Sequence, residues 1–388
     1  MTARIHYLTR QCLLTLLITL AMQGAVFAQG GKMLKIVELQ GSYYEIGKGW
    51  GEVFRQEMDR IITSELGVIA TYYGIDTETV IELGKKYLPA AQKYDPEFIE
   101  VLHGFAEGAG VSFDTIFAIR SVFDILCSGP PRQGMCTSLA VGGSASQNGQ
   151  VIIGQNIDWH PGLPIALLKI SWPNGVKQLA LSMSGVWEYT LSAYDKASPF
   201  AIMSTLTVTP DTNPDISVPI SFIMNKASRQ KQLENALEVF TNATSTMPSY
   251  LLANGAGKMI GIELGLHSHE LLYPESDVLI HANHNISERF AARDAFIQFV
   301  PDSPFRYDRM KKLAAQNHGK ITPKRIMAFL ADHENYPKGI CSHVDPESQL
   351  PPSATVASVV IIPEEAAMYI AVGNPCENEY ERYHLQTD

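Results

Sequence analysis

Several features are scarce in this chain of 388 residues, and each scarcity removes a class of function. No block of lysines or arginines occurs. With 30 basic against 40 acidic residues the net charge is −10, which gives nucleic acid no electrostatic footprint and argues against anionic lipid surfaces. Cysteine is rare, five in all, with no CxxC pair, so a structural zinc site built on cysteine is not expected. After residue 28 no apolar run is long enough to cross a bilayer. Internal repeats, low-complexity tracts and long linkers are missing as well.

What remains is a globular composition, 46% apolar with charges of both signs, long enough for a large core. Residues 1–28 stand apart from the rest. Arg4 and Arg10 precede CLLTLLITLAMQGAVFA, and Val26-Phe27-Ala28 offers small residues at cleavage subsites. This reads as a secretory signal peptide removed near Ala28, with the mature chain secreted or periplasmic and off the membrane. The competing reading, an uncleaved anchor, is weakened by Gln23 and Gly24 within the run. Four cysteines then remain: Cys127, Cys136, Cys341 and Cys376. Export permits disulfides, Cys341–Cys376 among them, but a chain of this size does not need staples.

Residues 29–135 read as a mainly helical leader. EIGKGWGEVFRQEMDRIITSELGVIATYY repeats apolar residues every three to four positions, Asp76 caps TETVIELGKKYL, and Asp95-Pro96 opens PEFIEVLHGFAEGAG. Another helix is expected over Phe113–Leu126. From residue 136 to 388 short β-rich runs dominate, from TSLAVGG and VIIGQNIDW to ATVASVVII and AMYIAVG. Helical stretches around Ile220–Phe240 and Tyr307–Ala331 interrupt them. The sharpest boundary is CSGPPRQGM, Cys127 to Met135, whose prolines and glycines favour an irregular segment.

Cys136 stands at that join, in GMCTSLA. Core filler, half a disulfide, a metal ligand and a nucleophile are all open readings of a lone cysteine. The following Asn148-Gly149, between two apolar runs, is a hairpin signal. A turn centred there places Asp158 opposite Leu139, about 10 Å along the strand from Cys136 at roughly 3.3 Å per residue. A bulge at Gly142-Gly143 would shorten that offset. Cutting the Met135–Cys136 bond would give Cys136 a free α-amine with a pKa of roughly 7.7–8.0, beside its own thiol. One residue would then be both nucleophile and base, and the same thiol could make the cut by attacking the Met135 carbonyl.

GMCTSLA with QNGQVIIGQNIDWHPG resembles the self-processing N-terminal-nucleophile hydrolases, specifically the acyl-coenzyme A:6-aminopenicillanic acid acyltransferase (isopenicillin-N acyltransferase-like) family. GSYYEIGKGWGE, GFAEGAG, IHANHN, ICSH, ATVASVV and GNPCENEY extend the likeness over the whole mature chain. The resemblance implies an α+β fold, a four-layer αββα sandwich, cut into two subunits that stay associated. It implies Cys136 as nucleophile, Asp158 as the carboxylate beside the new amino terminus or thiol, and Asn283 as an oxyanion donor through its side-chain N–H. It implies no cofactor and a small-molecule acyl-amide (or thioester) substrate.

Two departures bear on substrate. Met135 stands where the family often has glycine, and Pro351-Pro352 where the penicillin-acylating members carry Ser-Arg. The related bile-salt and penicillin-V hydrolases place an arginine shortly before the aspartate, where this chain reads GQNID. Plainer readings exist for each residue: Cys136 as buried filler, Asp158 capping a turn before His160-Pro161, Asn283 ending a strand. His281 with His284, or His267 with His269 and Glu270, invite a metal reading but lack third and fourth ligands at a recognised spacing, so no metal is expected. Tyr43-Tyr44 and Trp187 read as packing aromatics. The competing functions are a bile-salt or penicillin-V type amidase and an exported binding protein that keeps the fold without turnover.

Overall fold

The computed structural model describes residues 34–126, 136–208, 217–245, 247–292, 294, 296–348 and 352–387. Residues 1–28, for which a signal peptide is expected, and Met135 lie outside them. Two sheets face each other. The larger has eight strands in the order β1 (Lys35–Gln40), β4 (Ile165–Ser171), β5 (Lys177–Met183), β6 (Trp187–Ala193), β7 (Phe200–Thr205), β8 (Ser249–Asn254), β9 (Met259–Gly265), β10 (Ser268–Leu272). The smaller has six, in the order β11 (Val278–His281), β2 (Cys136–Gly143), β3 (Gly149–Trp159), β12 (Ala354–Ile362), β13 (Ala367–Val372), β14 (Glu381–His384).

Strands β2 and β3 pack on β7 and β8, which forms the middle of a sandwich. Helices α1 (Tyr43–Phe54), α3 (Pro96–Ala109), α5 (Ile220–Ser228) and α6 (Leu233–Thr241) lie on the large-sheet side, with α2 (Thr77–Lys85) and α4 (Phe113–Arg120). Helices α7 (Ser303–Gln316) and α8 (Pro323–Leu330) cover the small sheet. This is the four-layer αββα arrangement that the resemblance implied. It explains why every residue of ATVASVVII is buried, with no alternation of inward and solvent-facing positions. In β12, Val359 and Ile361 join the core between the sheets, whereas Val360 and Ile362 join the core under α7 and α8. A strand buried on both faces has no polar side to show.

The helical leader forms as its caps dictate. Asp76 accepts from the Thr79 N–H at 2.8 Å, and Asp95 from the Phe98 N–H at 3.1 Å. Helix α3 ends at Gly110 in the left-handed region. The leader is not separate from the body, however. Its first strand, β1, pairs in parallel with β4 and so becomes an edge of the large sheet. Two buried arginines tie the two parts further. Arg120 of α4 donates to Glu188 of β6 at 2.5 and 2.9 Å, and Arg229, just past α5, pairs with Asp95 and Glu97.

The motifs GKGWGE and GFAEG find their physical reason in the α1–α3 crossing. A Cβ on Gly47 would lie 1.9 Å from the Val101 carbonyl oxygen, and one on Gly104 would lie 2.0 Å from the Tyr44 oxygen. Gly51 and Gly108 are equally close to facing backbone. The helices meet backbone to backbone, which only hydrogen at Cα allows. Gly104→Ala is therefore expected to destabilise the protein by about 1–3 kcal/mol or more. Gly67→Ala, whose nearest neighbour is 3.8 Å away, should be neutral or stabilising by up to about 1 kcal/mol. Denaturant unfolding of both variants checks the contrast.

Candidate active site

Four neighbouring strands set the site. Cys136, the first residue of β2, pairs with Ile157 of β3, and His281 of β11 pairs with Ser138 of β2. Continuing that antiparallel register two residues past β11 sets Asn283 beside Cys136. On the other side Thr355 of β12 pairs with Asp158 of β3. Asn283, Cys136, Asp158 and Thr355 thus lie across one end of the small sheet, although they are far apart in sequence.

The register differs from the sequence expectation. Asp158 is not opposite Leu139; it follows Ile157, the direct partner of Cys136. Asn148-Gly149 is not a two-residue turn, since β2 ends at Gly143 and β3 begins at Gly149, with an irregularity between Val141 and Gly143. The intervening loop is pinned from outside. Ser144 donates through N–H and Oγ to Asp277 at 2.7 and 2.6 Å, and the Gln147 N–H donates to the Ile321 carbonyl at 2.9 Å. These contacts widen the connection and slide the carboxylate toward the cysteine.

A buried guanidinium organises the rung. Arg306 of α7 is fully buried. Its Nη1 donates to the Cys136 carbonyl at 2.6 Å and to Thr137 Oγ1 at 2.8 Å. Its Nη2 donates to Asn283 Oδ1 at 2.9 Å, and Nε to Asp302 at 2.7 Å. The Cys136 N–H donates to the same Asn283 Oδ1 at 2.6 Å. Two donors on that oxygen fix the amide's orientation, and Nδ2 is committed to the Leu206 carbonyl at 3.0 Å. One of the two N–H groups on Nδ2 is thus directed at Leu206, which leaves the other for the oxyanion role that the resemblance implied, and Asn283 presents its oxygen to the cysteine nitrogen.

Cys136 is 7% exposed and Asp158 1%. Burial, reinforced by the Asp158 charge, pushes the thiol up to about 12. Hydrogen bonds from the Asp158 backbone N–H and the Tyr189 hydroxyl act the other way. Burial likewise raises the Asp158 carboxyl to about 7, against the lowering by Arg306 and by Thr355. Thr355 Oγ1 donates to Asp158 Oδ1 at 2.6 Å, whereas Oδ2 has no hydrogen-bond partner among the described residues. In the uncut chain the thiol is thus protonated at neutral pH, and a positive charge arriving beside it would lower both groups.

Cys136 and Asp158 open onto a pocket with about 570 Å³ of atom-free space. Its walls are mostly apolar: Phe123, Trp159, Val186, Trp187, Leu206 and Ile220. Phe123 packs on Trp159 and Trp187 at centroid distances of 5.4 and 5.6 Å. Trp187 is thus a pocket wall as well as a packing aromatic. Glu65 is a polar exception, accepting from Trp159 Nε1 at 3.0 Å. Two of the histidines weighed as ligands, His281 and His284, have other partners. His281 Nε2 meets Glu263 at 2.9 Å and Nδ1 meets Thr205 and Ser249 at 2.7 and 2.8 Å. Burial pushes His284 down to about 4, and its Nδ1 meets Ser303 at 2.8 Å.

Three site residues escaped the sequence reading. Arg306 sits in SPFRYDRMKK, which looks like a solvated helix face. Tyr189 is one of seven consecutive buried residues with no distinguishing period. Thr355 lies within the quoted ATVASVV but carries no signal of its role there.

Linkage gives the site a pH signature. Because the folded Asp158 is raised from its ordinary 3.8 to about 7, it favours folding fully below about pH 4. That contribution falls as pH rises toward 7 and is flat above. In an uncut Cys136→Ala background, adding Asp158→Asn should therefore raise stability relative to the parent progressively from pH 4 to 7. Thermal unfolding across that window checks it, and a pH-independent difference would contradict the raised carboxyl.

Residues 203–377 match the family model for acyl-coenzyme A:6-aminopenicillanic acid acyl-transferase. That span holds Asn283, Arg306 and Thr355 and begins after Cys136 and Asp158. No curated protein matches the chain. Among solved structures, a mutant of the conjugated bile acid hydrolase from Clostridium perfringens is similar, with 12% identity and a TM-score of 0.42. The match covers 65% of this chain and 97% of that one. Penicillin V acylase from Agrobacterium tumefaciens aligns at 14% identity and a TM-score of 0.38, over 61% of this chain and 83% of that one. Residues 203–377 thus carry the pattern of the acyl-coenzyme A:6-aminopenicillanic acid acyl-transferase family, and the motifs around Cys136 lie outside that span.

Proposed function

We propose that this protein is an exported, self-cutting amidohydrolase of the N-terminal-nucleophile type, with Cys136 as its mature amino terminus. The observation that carries the reading is the clamp on Cys136: nitrogen on Asn283, carbonyl on Arg306, thiol between the Asp158 backbone and Tyr189, at the foot of an apolar pocket. A structural cysteine has no use for such a set. In the first reaction Cys136 Sγ attacks the Met135 carbonyl carbon, and the C–N bond breaks as the nitrogen takes a proton. That C–N cleavage frees the Cys136 amine, and water then hydrolyses the remaining thioester, releasing the Cys136 thiol and the Met135 carboxylate. Asp158, whose carboxyl is poised near neutrality, is the base for this cut.

The cut changes the electrostatics of the site. The new α-ammonium lies on Asn283 Oδ1 and next to the thiol, and its positive charge lowers the thiol's pKa. In turnover the amine takes the thiol proton and the thiolate attacks the substrate amide carbonyl. The ammonium then returns a proton to the leaving amine, and water resolves the thioester to the acid. The aromatic wall of Phe123, Trp159 and Trp187 suits a hydrophobic acyl group. Hydrolysis is favoured over transfer from a thioester because coenzyme A thioesters are scarce outside the cytoplasm. The leader stays attached after the cut through β1 and the Arg120–Glu188 and Arg229–Asp95 pairs.

Intact-mass analysis of purified protein tests the proposal. Wild type is expected as two co-purifying fragments, the larger starting at Cys136, and Cys136→Ala as one uncut chain. An uncut wild-type chain that is correctly folded would contradict it. Arg306→Met should leave the fold detectable by circular dichroism but slow the cut by about a hundredfold or more, since it removes the shared donor of the clamp.

A further inference from the structure

We propose that His333, Cys341, His343 and Cys376 form a tetrahedral zinc site that fastens the segment following α8 to the turn following β13. The ligand atoms of these four residues all lie within 4.8 Å of one another. The separations between them are the decisive observation. Cys341 Sγ is 3.6 Å from Cys376 Sγ and 3.7 Å from His343 Nε2. Cys376 Sγ is 3.5 Å from His343 Nε2, and His333 Nε2 is 3.1 Å from His343 Nε2. A tetrahedron with Zn–S near 2.3 Å and Zn–N near 2.0–2.1 Å has edges of roughly 3.8 Å (S–S), 3.6 Å (S–N) and 3.3 Å (N–N). Four of the six edges fall within about 0.3 Å of these values, and the two from His333 to the sulfurs lie within 4.8 Å, so the exposed His333 closes the tetrahedron by a small movement of its ring. A disulfide would instead need the sulfurs about 2.05 Å apart.

The surroundings suit ligands more than a chance cluster. Three of the four sit on one loop closed by its own backbone bonds. The Cys341 N–H donates to the Asp332 carbonyl at 3.0 Å, and the His343 N–H to the Pro337 carbonyl at 2.9 Å. Asn374, two residues before Cys376, donates through Nδ2 to Cys341 Sγ at 3.5 Å and to the Ser342 carbonyl at 2.7 Å. An N–H donor on a sulfur supports thiolate, the form a metal binds. Binding releases two protons, one from each thiol, so Zn²⁺ with two thiolates and two neutral imidazoles has no net charge. The spacing, His333-x7-Cys341-x-His343 and then a distant Cys376, has no CxxC element. That is why the sequence reading expected no such site.

Four protein ligands leave no open position, so the ion holds structure and does not act on substrate. What it holds bears on the rung. Ser342, between two ligands, donates its N–H to Thr355 Oγ1 at 2.9 Å and accepts from the Thr355 N–H at 2.9 Å. Thr355 in turn donates to Asp158. The Ile340 carbonyl accepts from Asn156 Nδ2 at 2.9 Å. The ion would fix the loop that positions Thr355 against Asp158. Zinc binding is read independently of whether Cys136 is cut, so the two proposals fail separately.

The test uses the full chain purified without chelator, reduced, exchanged into buffer with zinc alone and then desalted. Elemental analysis should give about one zinc per chain. His333→Ala, at the exposed rim, and His343→Ala keep both cysteines and should each lower zinc affinity by about tenfold or more while remaining folded by circular dichroism. Replacing zinc with cobalt(II) should produce the intense visible bands of a tetrahedral site and a sulfur-to-cobalt charge-transfer band that weakens in Cys376→Ser. The proposal is overturned if reduced protein takes up no zinc, if zinc content is unchanged in both histidine variants, or if the cobalt spectrum is octahedral. A Cys341–Cys376 disulfide in protein as purified, with no zinc bound after reduction, would also overturn it and assign the pair to redox chemistry.

Discussion

A guanidinium removed from water must be surrounded by acceptors, and the acceptors around Arg306 are the parts of the candidate site. Its three nitrogens reach the Cys136 carbonyl, the Thr137 hydroxyl, the Asn283 amide oxygen and the Asp302 carboxylate. Burying such a charge is tolerable only when its donors find acceptors, and four of its five N–H groups find them here, so the demand runs both ways. The start of β2 cannot shift without leaving a buried N–H unpaired, and Asn283 cannot flip its amide without placing N–H against N–H. Helix α7 therefore does more than cover the small sheet. It fixes where the cysteine nitrogen and carbonyl point, which is the geometry a backbone cut at this residue requires.

The same economy holds the leader. Cutting before Cys136 would divide the chain, yet β1 is hydrogen-bonded into the large sheet as its edge strand and two buried arginines bridge leader and body. Breaking a buried pair by removing one partner costs roughly 3–5 kcal/mol, so each bridge opposes dissociation. The glycine-lined α1–α3 crossing keeps the leader's helices in one rigid layer. These contacts are tertiary and do not depend on chain continuity, so they would survive the proposed cut.

Much of this architecture was legible in the sequence, and what was not has physical causes. The caps at Asp76 and Asp95 and the β-rich texture after Cys136 depend on local chemistry, so they read directly. The β2–β3 hairpin was visible but its register was not, because Asp277 and Ile321 pin the loop from more than a hundred residues away. Strand β1 was missed because its six residues carry no period distinct from a linker. In sequence Arg306 resembles its helical neighbours, the half-buried Arg309 and the exposed Lys311, and only the fold buries it completely. Cys341 and Cys376 could be named as neighbours, but their approach to His333 and His343 depends on a loop closure that spacing does not encode.

The central claim is that Cys136 carries a free amine and a thiol on one residue. Those two groups together condense with 2-cyanobenzothiazole, whereas an internal cysteine cannot. Treating folded, purified protein with that reagent and mapping the adduct by tandem mass spectrometry is the most direct test. A single luciferin-type adduct is expected at Cys136 on the larger fragment, absent from Cys136→Ser. Failure to label Cys136 in protein unfolded after purification, when burial no longer protects it, would contradict the account.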